Sequence, residues 1–351
     1  MLWRRSRGAP APALSLSNSP MLPRRTATIR LMYLVGARPK QRWEATSGSV
    51  LALKHRYGPD GIHLFDRRTG LNVLLDEVDV EEAQWARAPR QVSIALTNAC
   101  DLDCPFCYAP KNAAVLDVAR VCAWLDELDA ADCFGVGFGG GEPTLYRRLA
   151  EVCRYAEEQT RLAVTMTTHG HRWTPKMIDA LAGAVNFVRV SVDGVGETYE
   201  QLRRRSYADL VRRIAMIGKV FQIGLNCVVN TSTLPDLTAV AELAASVGAA
   251  ELLLLPEQPA RGRKGITSHA LAALHRWIES YPGPVPLALG SGDAGHLAIA
   301  EPLPKEIELR AYAHIDASGM LRRTSYDPTG EAIDHRGVIA AIRRLERGAS
   351  E

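Results

Sequence analysis

Three thiols lie within eight residues in Cys100-Asp101-Leu102-Asp103-Cys104-Pro105-Phe106-Cys107. No other stretch constrains the chain as tightly. A strand-like run, Val92 to Thr97, leads into it, and Asn98 begins the loop. Thiolates are soft ligands that suit zinc or iron–sulfur clusters. A structural zinc site is normally closed by four ligands. Here the count stops at three, because Cys122 falls in an amphipathic stretch that reads as helix. A zinc knuckle and a set of redox thiols remain open readings of the spacing. So does a cubane cluster with one iron lacking a protein ligand.

Composition narrows the setting. At 351 residues the chain is long enough for one large α/β domain plus an appendage. Its 47% apolar content is that of a core-forming globular protein. A net charge of +3 offers no case for a nucleic-acid partner. The seven cysteines are odd in number and widely scattered outside the triplet, which argues for a reducing cytoplasm. No apolar run reaches the ~18 residues that span a bilayer, so no membrane partner is expected.

Along the chain, residues 1–43 hold nine Lys or Arg and no acid. Nothing there is periodic, and the stretch is expected to be disordered. It superficially resembles a transit peptide, and a start at Met21 or Met32 is the competing reading. Residues 44–90 read as a small β-meander. Its strands are expected at Val50–Leu53, Ile62–Asp66 and Leu71–Leu75, with turns at Tyr57–Gly61 and Arg67–Gly70. Strands and helices then alternate over 91–265. Helices are expected at 118–128, 148–160, 175–181, 207–217 and 237–247, and strands at 163–168, 187–192, 224–230 and 251–256. That alternation predicts parallel strands with crossover helices. In 266–351 one helix is expected at 270–279, a Pro- and Gly-rich loop at 282–304, and a hairpin from Ala313 to Arg323.

Cys-x3-Cys-x2-Cys with Phe106 before the last Cys resembles the radical S-adenosylmethionine (SAM) superfamily. Gly139-Gly140-Gly141-Glu142-Pro143, about thirty residues on, supports it. So do Thr165–Gly170 and Arg189–Gly194, similar to the ends of the third and fourth core strands. The resemblance covers about half the chain, from Gln91 to Gly265. It implies an α/β fold: a partial (β/α)6 radical SAM barrel, here with an N-terminal β-meander and a C-terminal α+β extension. It also implies one [4Fe–4S] cluster on Cys100, Cys104 and Cys107, with SAM as second cofactor. Gly140, Gly141 and Glu142 would fix the SAM amino group, Phe106 and Tyr108 would border the adenine, and Ser191 and Asp193 would meet the ribose. An electron donor such as flavodoxin or ferredoxin is implied as partner.

The hairpin resembles the start of the extension in the SPASM/twitch-type branch, where cysteines for auxiliary clusters follow. Here Thr324–Pro328 stands at that point and no cysteine follows Cys227, so a single cluster is expected. His169 stands where the family commonly has Asn, with His171 two residues on; polar lining, substrate contact and proton donation are all open. Arg261, after the sixth strand, would bind an anion or lie in solvent. Cys227 reads as a buried structural thiol. Three functions follow: an enzyme taking hydrogen from a small metabolite, a maturase of a ribosomal peptide with the meander as docking edge, and a non-catalytic iron–sulfur protein.

Overall fold

The computed structural model describes 30–33 in backbone and, in full, 53–290, 293–297 and 303–348. Four antiparallel strands come first: β1 (Arg30–Tyr33), β2 (Lys54–Gly58), β3 (Gly61–Phe65) and β4 (Leu71–Leu75), in sheet order β1-β4-β3-β2. One expectation changes here. The stretch expected to be disordered contributes β1; the rest of 1–43 lies outside the described residues. The first described meander strand lies at Lys54–Gly58; of the strand expected at Val50–Leu53, 50–52 lie outside the described residues. Buried cations pin this sheet to the rest. Arg56 donates to Glu306 Oε1 (2.6 Å), Ala88 O (2.9 Å) and Arg310 O (3.0 Å). With Asp132 O (3.1 Å) as a fourth acceptor, each of its three nitrogens has a partner, which is what lets a guanidinium sit out of water.

The core follows as β5 (Gln91–Thr97), α1 (Val118–Ala130), β6 (Gly135–Gly140), α2 (Leu149–Gln159), β7 (Ala163–Thr168), α3 (Pro175–Leu181), β8 (Phe187–Ser191), α4 (Gly196–Arg203), α5 (Tyr207–Ile217), β9 (Gln222–Val229), α6 (Leu237–Ser246) and β10 (Leu252–Pro256). The helices start where capping chemistry dictates. Asp117, Thr174 and Ser206 each accept a backbone N–H in the first turn of α1, α3 and α5. Each such cap is worth about 1 kcal/mol.

Six parallel strands, β5 to β10, lie side by side in chain order, as the alternation predicts. After α7 (Ser268–Ser280), β11 (Leu287–Leu289) extends the sheet beyond β10, inside the stretch expected to be loop. The hairpin forms as β12 (Tyr312–Ile315) and β13 (Met320–Arg322), then β14 (Glu331–Ala332) and α8 (Gly337–Arg347). β12 lies parallel to β5, so the extension continues the core sheet. Among the described pairings this ten-stranded sheet stays open: a partial barrel.

Strand alternation sorts the two faces. Val92, Ile94, Leu96, Val164, Met166, Val188, Val190 and Leu225 are fully buried in the apolar core that the helices cover. Each such residue contributes about 1.5–3 kcal/mol. The opposite face carries Ser93, Thr165, Thr167, Arg189, Ser191 and Asn226. Thr167 is exposed although it stands in a central strand. A polar, reachable face of a buried sheet is where a ligand fits, and strand carboxyl ends are where such sheets place one.

Candidate active site

β5 ends at Thr97, and the chain turns into the cysteine loop. Cys104 is buried, Cys100 and Cys107 are half-buried, and all three are free thiols. They sit with Leu102, Phe106, Leu202 and Val228 in a small apolar cluster. Leu102 N–H points at Cys100 Sγ (3.4 Å) and an Arg203 N–H at Cys104 Sγ (3.3 Å). Burial pushes the Cys100 thiol up to about 11 and raises Cys104 as well, against the pull of Arg203. Protonated thiols in an apolar nest are poor nucleophiles. A bound cation reverses that and deprotonates them outright. Three soft donors brought together by one loop fit an iron–sulfur cluster.

Gly139–Glu142 packs on this loop from β6. Gly141 N–H donates to Thr97 O (2.7 Å) and Glu142 N–H to Ala99 O (2.8 Å). Cβ atoms at Gly140 and Gly141 would come within 2.3 Å of Thr97 O and Ala99 O, so only glycine allows the approach. Those two glycines are therefore spent on the protein's own backbone. Gly139 is different: nothing lies within 4 Å of where its Cβ would be. Its backbone is therefore open on that side.

Glu142 is fully buried. Its Oε1 accepts from the Thr144 hydroxyl (2.6 Å) and the Thr168 hydroxyl (2.7 Å), and its Oε2 from His169 N–H (2.9 Å). The carboxylate expected to meet an ammonium also accepts from Thr144, Thr168 and His169 within the protein. The His169 ring continues the network. Its Nδ1 accepts from His171 N–H (3.1 Å), so Nε2 carries the hydrogen and donates to Asp101 Oδ1 (2.9 Å). His171 bonds the Tyr199 hydroxyl (2.8 Å), and burial lowers its pKa to about 4. Both histidines are thus polar lining that braces the cysteine loop.

Asp193 is likewise fully buried. It accepts from Arg203 Nε (2.6 Å) and from Val228 N–H (2.7 Å). The carboxylate expected to meet ribose is thus also held by two of the protein's own donors. The Ser191 hydroxyl, in contrast, makes no hydrogen bond among the described residues. Directly across the ladder stands Asn226, whose buried Oδ1 also lacks a partner. The two side chains thus stand side by side on the inward face with no side-chain hydrogen bond among the described residues. Asn226 was missed in the sequence; its signal is its register opposite Ser191, which no local pattern reveals.

Arg203 was missed too. It closes α4, pairs with Asp193, touches Cys104 and lies over the Phe106 ring at 5.5 Å. Phe106 is buried beneath it. Tyr108 faces the other way, packing on Tyr326 (5.3 Å) and edge-on to His314 (6.1 Å). These aromatics line a cavity of about 270 Å³ with Asn98, Arg261 and Arg322. Arg261 donates to Asp103 Oδ1 (2.7 Å) and Cys104 O (3.1 Å), so it clamps the cysteine loop at the cavity rim. Cys227 is fully buried and its pKa is raised, as a structural thiol's is. At the back, Ser93 Oγ lies 2.6 Å from both Tyr312 OH and His314 Nδ1. Desolvation lowers the His314 pKa to about 4, so the ring is neutral near pH 7.

A profile of the radical SAM superfamily matches residues 94–244. The chain carries a radical SAM domain. Curated proteins similar to it include the AdoMet-dependent heme synthase of Methanosarcina barkeri, 28% identical over 171 residues, covering 46% of this chain and 49% of that one. The PqqA peptide cyclase of Ruegeria pomeroyi is 29% identical over 174 residues, covering 47% and 46%. The chain thus spans about half the length of the curated relatives it matches. In fold it resembles the crystal structure of Streptococcus suis SuiB bound to S-adenosylmethionine, with TM-score 0.63 and 12% identity, over 80% of this chain and 84% of that one. That overlap extends well beyond the radical SAM domain itself. The superfamily's cofactors are a [4Fe–4S] cluster and SAM.

Proposed function

We propose that the chain is an enzyme that cleaves SAM reductively and takes a hydrogen atom from a small polar substrate. The observation that carries this reading is the convergence, on one polar sheet face, of three thiols, the open backbone at Gly139 and the unpartnered Ser191–Asn226 pair. Cys100, Cys104 and Cys107 would hold the cluster. When bound, cluster and SAM together supply an electron and a 5′-deoxyadenosyl radical that abstracts hydrogen. The remaining work is the protein's. Gly139 offers backbone polar groups, while Ser191 and Asn226 orient ribose hydroxyls. Arg203 and Glu142 are positioning residues that fix the loop and the two strand ends. Tyr108 and Tyr326 wall the reacting space from water.

His314 lines the substrate cavity with Nδ1 tied to Ser93, which leaves Nε2 to the substrate. The Tyr312–Ser93–His314 chain can run in either direction. Nε2 can therefore donate to a substrate carbonyl or accept from a hydroxyl without charging the ring. About 270 Å³ is small for a ligand pocket and suits an amino-acid-sized group.

A second reading, a maturase acting on a peptide side chain, draws on the similarity to the PqqA peptide cyclase and on the position of β2 as an edge strand among the described pairings. The test of the common core is anaerobic incubation of reconstituted protein with SAM and dithionite. Release of 5′-deoxyadenosine by the wild type, and none by Cys104→Ala, is the expected outcome. No release from wild type leaves a non-catalytic iron–sulfur protein.

A further inference from the structure

Two cavities flank the cysteine loop and share no lining residue. The 270 Å³ cavity lies on the Tyr108 side. The other, about 330 Å³, opens on the Cys100 side, where the loop after β7 meets the start of α5. Its wall is cationic: Arg172, Arg205 and Arg213 line it, with Arg204, Arg212 and Lys176 close by in the chain. The two acids in that wall are already engaged. Asp101 is held by Arg172 (3.5 Å), Arg205 (3.4 Å) and His169 (2.9 Å), and Asp209 pairs with Arg212. Lys176, Arg204 and Arg213 have no carboxylate within ion-pair distance among the described residues. A whole-chain charge of +3 makes such a concentration local rather than general.

The patch adjoins the thiols. Cys100 Sγ, an Asp101 carboxylate oxygen and a His169 ring nitrogen lie within 4.8 Å of one another. The same Asp101 carboxylate touches Arg205 and Arg172, which are 41% and 45% exposed. One carboxylate therefore separates surface guanidinium groups from a cluster thiol. On the opposite side Tyr326 packs on Tyr108 at the cavity assigned above to substrate.

We propose that this arginine face docks a small acidic one-electron carrier protein, which reduces the cluster from the Cys100 side while substrate occupies the Tyr108 side. The proposal rests on the function above. In the step, the reduced carrier gives up one electron and the cluster gains one; no atom is transferred. Complementary charge speeds and orients such encounters, and salt weakens them.

The test uses reconstituted protein, flavodoxin hydroquinone as the probe, and a Lys176→Glu/Arg204→Glu variant of two exposed cations of this face. Arg172, Arg205 and Arg213 are left intact because they bond Asp101 or the Trp173 carbonyl. Calorimetry reads flavodoxin affinity, and bleaching of the cluster's visible absorbance reads the reduction rate. Both are expected to fall about tenfold or more in the variant, and salt is expected to slow the wild type toward it. Reduction by dithionite should not change. Equal flavodoxin affinity and rate in both proteins would overturn the proposal. Should the charge reversal lose its cluster, Lys176→Gln/Arg204→Gln carries the same comparison. Failure of the functional reading is separate: wild type that releases no 5′-deoxyadenosine with dithionite defeats that reading, while the calorimetry still tests docking.

Discussion

Arg203 and Asn226 occupy opposite ends of one physical scale. Arg203 is paired, hydrogen-bonded and packed; removing it leaves Asp193 as a buried charge without its cation. Breaking a buried pair in this way costs about 3–5 kcal/mol. Arg203→Met should therefore lower the urea midpoint sharply, with cluster retention falling alongside, and Arg203→Lys should restore part of both. Asn226 Oδ1 has no partner to lose. Asn226→Ala should leave the urea midpoint nearly unchanged and weaken SAM binding, read by equilibrium dialysis, by about tenfold, the worth of one ligand hydrogen bond. A large stability loss in Asn226→Ala would remove it from the site. Neither residue was legible beforehand. A cysteine triplet and a glycine-glutamate turn are local patterns, so the loop and β6 could be read directly. Arg203 and Asn226 matter only through what the fold brings opposite them.

At the scale of elements, α3 and α5 were legible to the residue because Thr174-Pro175 and Ser206 announce their first turns and apolar spacing carries them on. The short α4 has neither signal: it starts at Gly196 with no side-chain cap. β11 hides in a Pro- and Gly-rich segment because three residues cannot establish a period. The hairpin was legible, but its docking beside β5 was not. That docking is what brings His314 to Ser93. His314, His171 and His63 are all held near pKa 4 by burial, below the ordinary 6.5. Their unfolded forms bind protons first as pH falls. Stability is thus complete above about pH 6.5 and is lost as pH drops toward 4. Urea midpoints at pH 7, 5.5 and 4.5 should decline in that order, and His314→Gln should flatten the decline.

For the whole molecule, the parallel core followed from alternation alone. The way the flanking parts close on it did not. β12 extends the core sheet, Tyr326 comes down on Tyr108, and Arg56 ties the N-terminal sheet to Glu306 in the extension. Three separately read segments thereby become one body around the cysteine loop. No helix among the described residues is long and apolar enough to cross a membrane. The stretch Thr324–Pro328 brings an aromatic, not a thiol, to the cavity, so one cluster per chain is expected.

Metal analysis of anaerobically purified, reconstituted protein tests the centre of this description most directly. Four irons per chain with an electron paramagnetic resonance signal that shifts when SAM is added is the expected result. Zinc bound at Cys100, Cys104 and Cys107 with a fourth side chain closing the shell, and no response to SAM, would contradict it.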